Sequence, residues 1–96
     1  MMKLRLECEY LAWPVFCPDV ASMGHVNVED LPISEELKIE ILLWDEEYQA
    51  TYNSAYPPDS GFESTIHKAA HSRKGAELAE RLQDELGEGY AVEYQL

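Results

Sequence analysis

The residues whose types could do chemistry are few and scattered. His67 and His71 stand four apart, a spacing that puts two side chains on one side of a helix and could aim both rings at one metal ion. Glu63 lies one turn earlier, but Lys68-Ala69-Ala70 separates the histidines and Arg73 follows. No H-E-x-x-H pattern results, and nearby cations oppose a third. The pair therefore reads as part-exposed histidines, with no metal ligand set and no cofactor. His25 stands alone in a loop and reads as structural. Cys8 and Cys17 make no C-x-x-C pair and read as two reduced thiols. A thiol beside a histidine could act as a nucleophile, but no motif joins them here. Gly24, Gly61, Gly75, Gly87 and Gly89 are too dispersed to cradle a phosphate. Nineteen acids single out no catalytic pair. The expectation is a chain that is not an enzyme.

The composition sets the frame for these residues. Ninety-six residues, 46% hydrophobic and 27% charged, make a single domain, 1–96, with a modest core. Seven Lys and Arg against nineteen Asp and Glu give a net charge of −12. Direct binding to nucleic acid or to an anionic membrane needs a basic footprint and is disfavoured. No apolar run approaches the roughly 18–20 residues that span a bilayer. Lys3 and Arg5 precede no apolar stretch, so no secretory signal is expected and the chain reads as cytoplasmic.

The elements that must position the side chains follow from periodicity. Leu4, Leu6, Cys8 and Tyr10 alternate with Lys3, Arg5, Glu7 and Glu9, a half-buried strand. Pro14, Pro18, Gly24 and Pro32 punctuate the stretch that follows. It reads as mostly loop, with short extended pieces open at Val15-Phe16 and Val26-Asn27-Val28. Ser34 is a good N-cap with Glu35 and Glu36 in the first turn behind it. Leu37, Ile41, Trp44 and Tyr48 then recur on one helical face, and Ile39, Leu42 and Leu43 widen the stripe as if the helix packed on a second side. A second helix runs from about Ser64 to Leu86. Gly75 could weaken it midway, Glu77 and Arg81 are spaced as an i,i+4 pair, and Gly87 fits a left-handed stop. Tyr90, Val92, Tyr94 and Leu96 alternate as a closing strand. The expected fold is α+β in the order β-α-α-β: terminal strands pair, parallel or antiparallel, and two helices cover one face. One extra short strand is open, as is dimerisation through bare sheet edges.

Charge and aromatics point towards a partner. Residues 29–48 hold eight acids against Lys38 alone, net −7. The block reads either as a solvated face that keeps a small protein soluble or as a row of carboxylates that occupies a basic cleft and steers fast, salt-dependent association. Trp13, Phe16, Tyr52 and Tyr56 fall in or beside loops. There they either anchor a partner or, for Trp13 and Phe16, cap the core.

Several segments carry a family likeness: Lys3-Leu-Arg-Leu with Glu9-Tyr10 and Trp13-Pro14, then Asp30-Leu-Pro-Ile-Ser-Glu-Glu-Leu, then Trp44 and Tyr48 with Ala50-Thr51. Ser60-Gly-Phe, the run Gly75 to Gly87 and the closing Tyr90-x-Val-x-Tyr complete it. Across nearly its whole length the chain resembles a family of small acidic bacterial proteins. In size and acidity it is also similar to the immunity proteins of bacterial toxin systems, including contact-dependent growth inhibition. That likeness implies a protein that binds and neutralises a cognate toxin, with a nuclease domain and its basic cleft as the expected partner. The expected contacts are Glu36, Glu40, Asp45, Glu46 and Glu47, with Trp13, Tyr52 and Tyr56 as anchors. The alternative is a non-catalytic structural or regulatory module, homodimeric or not, whose acidity serves solubility.

Overall fold

The computed structural model describes residues 2–19, 23–56, 60–62 and 64–94. The expected α+β architecture with paired terminal strands is present. Strand β1 (Met2–Leu6) and strand β4 (Tyr90–Tyr94) pair in parallel, in the register Met2↔Tyr90 to Leu6↔Tyr94. Between them run β2 (Val15–Cys17), β3 (Gly24–Val26), α1 (Glu35–Gln49) and α2 (Thr65–Leu86). β2 is antiparallel to β1 and to β3, so the sheet has four strands in the order β3-β2-β1-β4. The sheet thus adds two short strands to the terminal pair, β2 at the open Val15-Phe16 piece and β3 reaching only the first residue of the open Val26-Asn27-Val28 piece. Three-residue strands are too short for periodicity to reveal, and pairing with β1 is what makes Val15-Phe16-Cys17 extended. Val28 enters a 3-10 turn, Val28–Asp30, capped by the Asn27 side chain, rather than a strand. Leu96 and Glu63 lie outside the described residues.

Alternation decides which face is covered. The register lines up Leu4 with Val92 and Leu6 with both Tyr94 and Val15. These side chains form one core with Leu37, Ile41 and Trp44 of α1 and with Leu78, Ala79 and Leu82 of α2. Burying a leucine or isoleucine of this kind is worth about 1.5–3 kcal/mol. The opposite face carries Lys3, Arg5, Phe16 and His25. Phe16 is therefore a strand residue under the Arg5 guanidinium, 5.8 Å from ring centre to cation, and does not cap the core.

Each helix begins where the sequence places it. Ser34 Oγ accepts from the Leu37 N–H at 3.2 Å, and Ser64 Oγ accepts from the His67 N–H at 3.1 Å. Ser34 is also held from the far end of α2, because its N–H and hydroxyl both donate to the Glu85 carboxylate. Helix α2 runs unbroken through Gly75. That glycine is buried, and a Cβ there would come within 2.5 Å of the Tyr94 hydroxyl and 2.6 Å of the Trp44 ring. Its role is close approach of α2 to Trp44 and Tyr94, not interruption of the helix. Gly87 does close the helix with a positive φ of 77°.

Candidate functional site

The acidic residues of α1 divide by what holds them. Glu40 faces α2, where Arg81 and Lys74 both bind its carboxylate, Lys74 at 3.3 Å. Arg81 thus turns to α1 rather than to Glu77, and Glu77 lies near Lys74 instead, 3.9 Å away. The Arg81 guanidinium, then the Lys74 ammonium, hold the Glu40 carboxyl below its ordinary value. Glu36 is exposed, 3.8 Å from the other Arg81 nitrogen. Asp45 is partly buried beside Cys8 and accepts from the Gln49 amide at 3.2 Å. Burial pushes the Asp45 carboxyl up against the opposing pull of Gln49 and the Cys8 thiol. The Cys8 thiol is pushed up in turn, by burial first and then by Asp45. Such surroundings favour the thiol over the thiolate that a nucleophile requires. Both cysteines are free thiols. Glu46 and Glu47 project from the solvent side of α1 and form no ion pair among the described residues. The expected acidic cluster is therefore split. Glu46 and Glu47 are open, Glu36 is half-engaged, and Glu40 and Asp45 work inside the fold.

The same helix presents apolar side chains to water. On a 3.6-residue helix, Ile39, Leu42 and Leu43 fall on the side away from Leu37, Ile41 and Trp44. All three are exposed, Ile39 and Leu43 by 55% and 56%. Among the described residues, nothing packs on the expected second side of α1. Glu35, Glu46 and Ala50 share that open side, with Glu36 and Glu47 at its margin.

Aromatic residues knit the back of α1 to its neighbours. Tyr10 stacks on Tyr48 with ring centres 4.4 Å apart and packs against Tyr52 at 5.1 Å. Trp44 stacks on His71 at 4.7 Å. The pair is locked twice. The Trp44 indole N–H donates to the His71 carbonyl at 2.9 Å, and His71 Nε2 lies 2.9 Å from the Trp44 carbonyl. A carbonyl only accepts, so His71 Nε2 carries the proton and has no lone pair for a metal. Burial, then Tyr10, pushes the Tyr48 hydroxyl up to about 12. Beside these rings open two adjoining clefts of about 500 and 770 Å³ that share Phe62 and His71. His67 lines only the second. Among the described residues no three His, Cys, Asp or Glu side chains gather as a metal group. Of the three expected anchors, Tyr52 is half-buried against Tyr10, while Trp13 and Tyr56 are exposed and lie on separate loops.

One loop is pinned to α1. The Gln49 amide donates to the Glu9 carbonyl at 2.8 Å and accepts from the Leu11 N–H at 3.0 Å. That clamp holds Leu11 at φ 62°, a left-handed conformation that costs a leucine about 1–2 kcal/mol. Leu11 is nonetheless 82% exposed. Sequence reasoning assigns no role to Leu11 or Gln49, because neither clamp nor backbone strain has a local pattern. The exposed leucines of α1 do leave a trace in the apolar stripe, which is wider than one interface requires.

The fold and surface define a small α+β domain on a mixed four-stranded sheet, with open carboxylates and open apolar side chains on its first helix. Residues 2–96 match the family described as Serratia CdiI immunity protein-like, and the chain belongs to that family. No curated protein matches it. No helix among the described residues is long and apolar enough to cross a membrane.

Proposed function

We propose that this chain is a cytoplasmic immunity protein that binds a cognate bacterial toxin and neutralises it without catalysing a reaction. The observation that carries this reading is membership of an immunity protein-like family across residues 2–96. The toxin domain is a nuclease with a basic cleft. Glu46 and Glu47, with Glu36 beside them, supply charge that no cation among the described residues neutralises fully, and a nuclease cleft lined by Lys and Arg is its complement. Glu40 and Asp45 support that surface from inside the fold, Glu40 by tying α1 to Arg81 and Lys74 of α2 and Asp45 by bracing Gln49. Trp13, Tyr52 and Tyr56 fill pockets and exclude water around the ion pairs.

The reagent for the test is a candidate toxin domain, sought at the C-terminal end of a large secreted protein encoded beside this chain. Co-expression is expected to restore growth of cells that make the toxin, and purified chain is expected to bind the domain and stop its nuclease activity. Glu46→Lys with Glu47→Lys is expected to slow association tenfold or more at low salt and to flatten its salt dependence. Unchanged association kinetics would remove the electrostatic mechanism. Absence of protection by the wild-type chain would remove the immunity reading.

A further inference from the structure

We infer that the solvent face of α1, centred on Ile39, Leu42 and Leu43 and extended by Leu11, is the docking surface, and that it takes a protein patch of apolar side chains rimmed by Lys and Arg. The inference rests on the immunity reading and goes beyond it by placing the centre of contact on aliphatic side chains rather than on the acids.

Three observations carry it. The first is exposure. Among the described residues nothing covers Ile39, Leu42 and Leu43, although they sit on a well-formed helix whose other face is packed in the core. Clustered exposed aliphatics on a small soluble protein mark a binding site. The second is the Gln49 clamp. It presents Leu11 to solvent in a strained conformation at the C-terminal end of the same helix. Strain of this kind persists where function needs a side chain held in one place. From Ile39 to Gln49 the helix rises about 15 Å, a span that fits within one side of a standard interface of about 800 Å². The third is charge. Glu35, Glu36, Glu46 and Glu47 surround the aliphatics, and Lys38 is turned in towards Glu29 and Glu35. A second copy docked face to face would set one acidic patch against another, since a two-fold interface uses the same patch on both subunits. A basic rim around an apolar centre satisfies both parts of the surface. This is the anatomy of a binding hot spot, with a dry centre and a polar margin.

The first arm of the test uses no toxin. The full-length ¹⁵N-labelled chain is titrated with a synthetic helical peptide that has one leucine face and one lysine face. Amide shifts are expected to concentrate at residues 39–50 and at Leu11, to shrink as salt rises, and to need at least about tenfold more peptide in Leu43→Ser. Glu80→Ser, on the far side of α2, is expected to bind like wild type. Circular dichroism melts show that the variants fold, as expected for exposed positions. No shift, shifts spread over the surface, or indifference to Leu43→Ser would overturn the inference. So would a sedimenting dimer that Leu43→Ser dissolves, because the occupant would then be a second copy. The candidate toxin domain separates the two readings. If it binds wild type and Leu43→Ser equally, immunity stands and the docking surface falls. If it does not bind while the peptide maps to α1, the surface stands and immunity falls.

Discussion

At the scale of the residue, the most constrained position is Gly75. It lies in the middle of a 22-residue helix, where glycine costs about 1 kcal/mol relative to alanine. The helix tolerates this because Trp44 and Tyr94 occupy the space of a side chain. Gly75→Ala should therefore destabilise the protein by about 1–3 kcal/mol despite its better helix propensity, read as a lower denaturant midpoint. His71 is fixed in the same neighbourhood. Its shared hydrogen bonds with Trp44 make it a rivet between α1 and α2, so the i,i+4 histidine spacing reports packing for one member and an exposed side chain for the other.

At the scale of the element, helix pairing and sheet edges carry the argument. Glu40 of α1 meets Arg81 and Lys74 of α2. Its carboxyl sits below its ordinary value of 4.5 in the folded chain. A carboxyl with a depressed folded pKa adds stability that is complete above its unfolded pKa and is lost as pH falls through the folded one. The stability margin of wild type over Glu40→Gln should thus be full at neutral pH and shrink below pH 4.5, as followed by thermal melts. Strand β4 is an edge of the sheet, yet it is not bare. The Gln83 amide of α2 donates to the Tyr90 carbonyl at 2.8 Å and accepts from the Val92 N–H at 2.8 Å, as a neighbouring strand would. Edge groups covered in this way resist pairing with another chain. Gln83→Leu, which exposes them, should raise self-association in sedimentation.

At the scale of the whole molecule, the net charge of −12 acts on stability as well as on partners. Like charges repel most in the compact state, and salt screens them over about 10 Å at 0.1 M. The melting temperature should accordingly rise by several degrees between low salt and about 0.5 M NaCl. The same salt should weaken binding to a basic partner. The two slopes run in opposite directions, which separates screening within the chain from screening between chains.

Much of this architecture was legible in the residues because it is locally encoded. Ser34 and Ser64 cap the helices they precede, Gly87 ends α2, and alternation over Leu4-Arg5-Leu6 and over Tyr90 to Tyr94 gives strands with a defined inner face. What the tertiary structure alone decided depends on contacts between distant segments. Val15–Cys17 becomes a strand only by lying beside β1, and β1 and β4 run parallel although the long connection between them permits either direction. The acidic row of α1 looked uniform in one dimension. Arg81 and Lys74, more than thirty residues away, engage Glu40, while Glu46 and Glu47 stay open. Likewise, hydrophobic periodicity shows that Ile39, Leu42 and Leu43 are apolar but not whether anything in the chain reaches them. That is a question of which faces the fold has partners for, and among the described residues only one face of α1 is covered.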